Sequence, residues 1–409
     1  MRYSELFPKA KKTPPKDAES VNHKLLVRAG FIDQLMSGSW TLLPLGLRVI
    51  NKINNIIREE MNAIGALEML MPLLHPKDIW NETGRWEKAG EIMYKLVDKN
   101  EREYALSFTH EEIVMDLLRK HIQSYHDLPI SIYHFSTKFR NELRAKNGIL
   151  RGREFMMKDL YSAHSSEEDL MAYYEKVKGA YKRIFQRLGF NFKVARASGG
   201  VFTDKFTHEF QVLSDAGEDT IYWREGDDEA VNEEIFDGDK SQYLSAKSIE
   251  VGNIFPLGTW YAEKMGVYFV DKDGSKKPVW FGSYGIGSTR VMGALVEVSH
   301  DDNGIIWFPQ VSPFDSHLLS VGEKSNETAE KIYQKLTSED VEVLYDDRDV
   351  SAGEKFADAD LIGIPFRLLV SDKTGSEIEW KERTGKEMRL MNLDEVLSKL
   401  KQIFKNSAN

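Results

Sequence analysis

The chain has 409 residues, a formal charge of −10 and no cysteine, which excludes disulfides and cysteine-ligated zinc. At roughly 150 residues per domain, two or three domains are expected. No apolar run approaches the length of about 20 residues that spans a bilayer, and the opening MRYSELFPKAKKTPPKDAES has no apolar core of a secretory signal. Net acidity weighs mildly against nucleic-acid binding, but much of it is local, so a basic groove elsewhere is not excluded.

Residues 45–64, LGLRVINKINNIIREEMNAI, place Val49, Ile50, Ile53, Ile56, Ile57, Met61 and Ile64 at helical spacing, with Gly65 as a stop signal. ALEMLMPLL then reads as a buried strand that Pro72 confines to an edge or an interface. A core helix followed by an edge strand is an adequate account of both. In SFTHEE, at 107–112, Thr109 with Glu112 three positions on predicts a capping box at a helix start.

The stretch 132–161 reads as two strands joined by a basic loop. Alternation puts Lys138, Arg140 and Glu142 on one face of the first strand. It puts Arg153, Phe155, Met157 and Asp159 on one face of the second. Mixed charge beside an aromatic ring fits a pocket for a charged ligand with a flat ring; a solvated hairpin with a basic turn accounts for the pattern equally well.

A long amphipathic helix is expected over 166–188. The segment 224–247 holds Glu225, Asp227, Asp228, Glu229, Glu233, Glu234, Asp237 and Asp239 and reads as a surface loop or small lobe. Residues 278–297 run from a strand through closely spaced glycines into an apolar helix, and two prolines within 305–317 mark a boundary. Beyond it, LLSV, VEVLY and FRLLVSD read as strands between helices at 325–338 and 354–363. A hairpin and a last helix from about 393 complete a compact α/β domain.

FRNE, LRGREF and MKDLYS together resemble the second signature motif of the class II aminoacyl-tRNA synthetases in its prolyl form. The resemblance runs over nearly the whole chain. It implies an α+β protein: an antiparallel-sheet catalytic domain over 1–311 and a mixed α/β anticodon-binding domain over 312–409. It implies ATP, Mg²⁺, L-proline and tRNA(Pro) as ligands, a homodimer built on the 45–74 region, and no zinc or membrane. A cytoplasmic location is expected, with the mitochondrial matrix as alternative. Family members often carry an editing domain between the second and third motifs; the interval here is too short for a domain with its own core.

By the same resemblance, Arg140 bridges the α-phosphate and the amino-acid carboxylate, Arg151 sits near the terminal phosphates, and Arg290 of GSYGIGSTR meets the γ-phosphate. Glu142 and Phe155 fall beside and upon the adenine. Thr109 and Glu111 grip the imino group, although the capping box explains the same residues. Met157, Phe255, Ser283 and Asp159 are candidates for the proline pocket by position. His208 of THEFQV is a further candidate, with a packed core histidine as the plainer reading. Asn253 and Pro256 stand where the family often has histidine and glutamine. Glu250 is the candidate Mg²⁺ ligand, and Arg348 and Lys355 are candidate RNA contacts. Three rivals remain: a threonine-specific relative, which would need a cysteine-ligated zinc; a non-catalytic paralogue that binds nucleic acid or senses amino acids; and a carrier-protein loader, which the C-terminal domain disfavours.

Overall fold

The computed structural model describes residues 1–143, 145–200, 207–323 and 325–406. They group into two compact units. One comprises Met36–Ser39 and Asn54–Ala294; the other comprises Met1–Leu35, Trp40–Ile53 and Leu295–Asn409. Among the described residues no helix is long and apolar enough to cross a membrane.

The first expected helix is α1, Pro44–Ala63. Its stripe Val49, Ile50, Ile53, Ile56, Ile57 and Met61 is buried, as a 3.6-residue period demands, and Gly65 follows at φ +85°. The next stretch departs from expectation. Only Leu67–Glu68 (β1) pairs, parallel to Ile132–Tyr133, and Leu67 and Leu70 are 67% and 80% exposed. This is a sheet edge facing outward, not a buried strand.

The larger unit is organised by one sheet. Its strands are β1, β2 (Ile130–Phe139), β3 (Glu154–His164), β4 (Phe192–Ala197), β5 (Thr207–Leu213), β6 (Asp219–Trp223), β7 (Ala230–Asn232), β8 (Leu244–Gly258) and β9 (Trp280–Ile286). Their spatial order is β5-β4-β7-β6-β8-β9-β3-β2-β1, and β5 also pairs with β8. The pairings are antiparallel except β1–β2 and β4–β7. The acidic segment therefore enters the sheet through β7 instead of forming a separate lobe.

Helix α2 covers Glu111–His121 and α3 covers Glu167–Arg187, with Ser166 Oγ accepting from the Asp169 amide at 3.2 Å as its N-cap. Tyr174, Val177, Tyr181 and Phe185 of α3 are buried, and the helix covers one face of β3, β8 and β9. The other face is left for side chains of alternate parity. Helix α4, Ser288–Val298, starts directly after β9.

The second unit carries a five-stranded sheet. Strands β10 (Ser316–Val321), β11 (Val343–Asp346), β12 (Phe366–Ser371), β13 (Ile378–Glu382) and β14 (Met388–Met391) lie in the order β11-β10-β12-β13-β14. The first three are mutually parallel and the last two antiparallel. Helices α5 (Ser325–Ser338), α6 (Ala352–Ile362) and α7 (Leu393–Asn406) follow the expected pattern closely. The chain start joins this unit: the Met1 amine donates to Val343 O at 2.8 Å, and Arg2 pairs with Glu330 at 2.7 Å.

Candidate active site

The β2–β3 hairpin pairs Lys138 with Phe155, Ser136 with Met157 and His134 with Asp159. On the same side, β8 pairs Asn253 with Gly285 and Phe255 with Ser283 of β9. Side-chain alternation thus gathers Lys138, Phe155, Met157, Asp159, Asn253, Phe255 and Ser283 on one face. Strand β2 ends at Phe139, so Arg140 and Glu142 leave from the loop and not from a strand face.

An open cavity of about 530 Å³ lies over this face, lined by Arg140, Glu142, Arg151, Phe155, Met157, Glu250, Asn253 and Arg290, among others. The backbone at Gly285 explains part of its depth. A Cβ there would come within 2.9 Å of Met157 Cε and 3.0 Å of Asn253 Oδ1. Arg140 lies with its guanidinium 5.2 Å from the Phe155 ring centroid. Its Nε is buried and has no hydrogen-bond partner among the described residues. Burial, and then the nearby Arg290 charge, pull the Arg140 guanidinium below its usual range. Three arginines face the cavity; Arg151 and Arg290 have salt bridges, and Arg140 has none among the described residues. Such an arrangement is costly unless an anion enters.

The other charged residues here are already paired. Arg290 donates to Leu150 O at 2.9 Å and Glu250 O at 3.0 Å, and its NH1 lies 3.2 Å from the Glu250 carboxylate. Arg151 bridges Glu142 at 2.9 Å and Glu218 at 2.7 Å. Asn253 Nδ2 donates to Glu250 Oε1 at 2.7 Å. Next to Glu250, burial and the Glu250 charge push the Glu209 carboxyl up to about 8. Gln211 Nε2 donates to both Glu209 and Asp219 at 2.8 Å.

Thr109, Glu111, Ser283 and Phe255 form a second group, closed from the cavity. Thr109 Oγ1 lies 2.7 Å and Ser283 Oγ 3.0 Å from the Glu111 carboxylate, and both hydroxyls donate to it. The expected capping box is absent: the N-cap of α2 is His110, without a side-chain cap bond. The Thr109 hydroxyl has turned to Glu111 instead.

Asp159 is in the site but is not free. It pairs with the buried Lys138 ammonium and lies 3.4 Å from His134 Nε2. Burial alone would raise its carboxyl; Lys138 and His134 hold it well below the usual range. Lys138 Nζ also meets His110 Nδ1 at 2.6 Å and His134 Nε2 at 3.2 Å. The atoms of His110, His134 and Asp159 are close enough together to hold a metal, but the ammonium sits among them as the resident cation.

His208 is on the wrong face for the pocket. It pairs with Ile254, whereas Glu209 pairs with Asn253. Its Nδ1 lies 2.6 Å from Tyr174 Oη on α3, and its Nε2 3.2 Å from Glu229. It is a packed, hydrogen-bonded histidine, and Glu209, one residue on, shares a face with Asn253. Strand parity was the available signal. Glu218 and Asp219 were also missed, and nothing in their sequence context marks them.

In the second unit, Arg348 forks onto Asp346 at 2.7 Å, pairs with Asp358 at 2.9 Å and stacks 3.9 Å from the Tyr3 ring centroid. Lys355 is buried, donating to Ser320 O at 2.8 Å and Asp346 O at 3.1 Å. Lys355 is spent on its own unit, whereas Arg348 commits Nε and Nη2 to its own unit and its Nη1 lies 3.9 Å from Glu354.

A cavity over a largely antiparallel sheet, with an unpaired arginine beside a phenylalanine ring, suits an anion that carries a flat ring. The family model for the tRNA synthetase class II core domain (G, H, P, S and T) matches residues 94–299, and the anticodon binding domain matches 312–403. A proline–tRNA ligase of Agrobacterium fabrum is 39% identical over 98% of this chain and 99% of its own length. One from Wolbachia pipientis is 39% identical over 97% and 99%. Among solved structures, prolyl-tRNA synthetase from Cryptosporidium parvum superimposes with a TM-score of 0.79 at 18% identity, covering 94% of this chain and 77% of that one. The Giardia lamblia enzyme, solved with prolyl-adenylate, does so with 0.77 at 19% identity, covering 94% and 79%. The chain belongs to the prolyl-tRNA synthetase family.

Proposed function

We propose that the open cavity takes ATP and the closed group behind it takes proline, in the service of proline–tRNA ligation. The proline carboxylate attacks the α-phosphate. The new P–O bond forms as the bond to the β-phosphate breaks, and pyrophosphate leaves. The terminal adenosine hydroxyl of tRNA(Pro) then attacks the prolyl carbonyl and AMP leaves. Positioning and charge stabilisation carry the first step, with no covalent nucleophile.

Arg140 is the observation that carries this reading. A half-buried guanidinium with no salt bridge, its Nε buried and unbonded and a second arginine nearby, is stabilised when negative charge arrives. Its place between cavity and closed group suits an anion shared by phosphate and carboxylate. Phe155 supplies a ring for the adenine, Arg151 and Arg290 the charge for the outer phosphates, and Glu142 fixes Arg151. Glu111, with Thr109 and Ser283, accepts the imino nitrogen, and Phe255 and Met157 form the apolar walls. Met157 lines the cavity, and its unbranched side chain can move to admit the ring.

Mg²⁺ fits the carboxylate side of the cavity. Burial raises Glu209 and Asp219, and the charge of Glu250 adds to both; a hard cation with oxygen ligands relieves that repulsion. Glu250 would hold it, neutralising charge across the β- and γ-phosphates. We assign catalysis to 1–311 and tRNA reading to 312–409. The outward Leu67, Leu70 and Leu74 support a homodimer face.

Pyrophosphate exchange with single amino acids tests the reading. Proline should support exchange and threonine should not. Alanine is smaller than the pocket, and missing methylenes cost only about 10–200-fold, so slow alanine-dependent exchange is expected. No exchange with any amino acid, alongside retained tRNA binding, would favour a non-catalytic paralogue.

A further inference from the structure

We infer that Arg85 is a positioning residue for proline: its guanidinium, bridging Glu111 and Glu112, keeps the Glu111 carboxylate charged and aimed at the substrate nitrogen. The inference rests on the reading of Glu111 as the imino acceptor and adds a residue that touches no substrate.

Arg85 follows Gly84, which ends the short helix Lys77–Thr83 with φ +73°. That left-handed turn, open to glycine at little cost, is where the chain reverses direction, and Arg85 after it is buried. There NH1 donates to Glu111 Oε2 at 3.1 Å and to Glu112 Oε2 at 2.9 Å. Thr83 Oγ1 donates to Glu112 Oε1 at 2.7 Å. Side-chain exposures are 4% for Arg85, 1% for Glu111 and 0% for Glu112. The rings of Phe108, Trp80 and Tyr261 stand 5.1, 5.6 and 5.6 Å from the guanidinium carbon. They wall off solvent and contribute cation–π attraction.

Two buried carboxylates against one guanidinium leave the triad one negative charge in excess. An arriving imino cation cancels that charge, so the pocket is matched to a positively charged nitrogen. The other titratable groups facing it do not alter the balance. Lys138 acts on Glu111 electrostatically but is paired to Asp159. Burial holds the phenols of Tyr161 and Tyr261 well above their usual range, hence neutral. Burial pushes the Glu112 carboxyl up and Arg85 opposes it. Remove the guanidinium and the two adjacent carboxylates must share a proton, which blunts the acceptor that proline needs. Both carboxylates are met by the one nitrogen Nη1, whose two N–H bonds divide between them.

The test uses the full chain. Wild-type exchange with proline comes first, then Glu111→Gln. If Glu111→Gln leaves the proline KM unchanged, the reading of Glu111 is wrong whatever Arg85 does. Next come Arg85→Met, Glu112→Gln and the double variant, with KM for proline and for ATP measured separately from about pH 6 to 9. Arg85→Met should raise the proline KM on the order of 100-fold at neutral pH and leave the ATP KM within about threefold. The proline KM should fall again as pH rises and the shared proton leaves. The double variant, with one carboxylate left, should recover most of the loss. A rescue of this kind is foreign to a merely structural arginine. A proline KM within about threefold of wild type in folded Arg85→Met, or parallel rises for proline and ATP without rescue, overturns the inference. If Arg85→Met does not fold, Arg85→Gln, which keeps a polar donor and removes the charge, decides: roughly tenfold on the proline KM alone sustains the inference, and no change refutes it.

Discussion

Arg140 and Arg348 are both arginines held largely out of solvent at the ends of strands, and the two units treat them in opposite ways. In the larger unit Arg140 is half-buried beside a second cation, and its buried Nε has no bonded partner among the described residues. In the other, Arg348 has two carboxylates and an aromatic ring, which hold its guanidinium above its usual range once burial has been overcome. An arginine left unsatisfied inside a protein marks a place where an anion comes and goes. An arginine forked onto a carboxylate of its own chain serves the scaffold first. The sequence context, FRNE against DDRD, does not distinguish them.

Three measurements sharpen or break this contrast. Arg140→Ala should lower proline-dependent pyrophosphate exchange on the order of 10³-fold, with the melting temperature unchanged or raised, since an uncompensated buried charge is removed. Loss of stability with near-normal exchange would reverse the assignment. Arg348→Ala should do the opposite. It leaves the fully buried Asp346 without its fork, at a cost of about 3–5 kcal/mol in denaturation experiments, while exchange by the surviving folded fraction is little changed. An unaltered denaturation midpoint with impaired tRNA charging would return Arg348 to the RNA-contact role.

The third and smallest concerns His317 on β10. Burial lowers its imidazole to about 4, and neither ring nitrogen has a partner among the described residues. The folded state keeps it neutral, whereas the unfolded chain protonates near 6.5. Its contribution is therefore complete above about pH 6.5 and is lost as pH falls toward 4, amounting to about 3 kcal/mol. His317→Met should flatten stability over that range relative to wild type. Equal pH slopes for the two proteins would mean that His317 is not held neutral.

Much of the molecule was legible before any coordinates. Helices α1, α3, α5 and α7 and the strands of the second unit follow from periodicity, because one buried face imposes a period of 3.6 or 2 on the residues that make it. The motif arginines line one cavity, and the capping explanation of Thr109 failed because its hydroxyl bonds Glu111. Leu67–Leu74 misled because apolarity alone cannot separate a core strand from an exposed edge.

By itself the sequence determined the elements, the family and the list of charged side chains near the hairpin. Only the tertiary structure decided what each charge meets. Asp159 is claimed by Lys138, Lys355 by carbonyls of its own unit, and Glu111 by Arg85, which lies 26 residues away. Pairing depends on a few ångströms between residues remote in the chain, and at low dielectric those distances set whether a charge is spent or available. No periodicity encodes them.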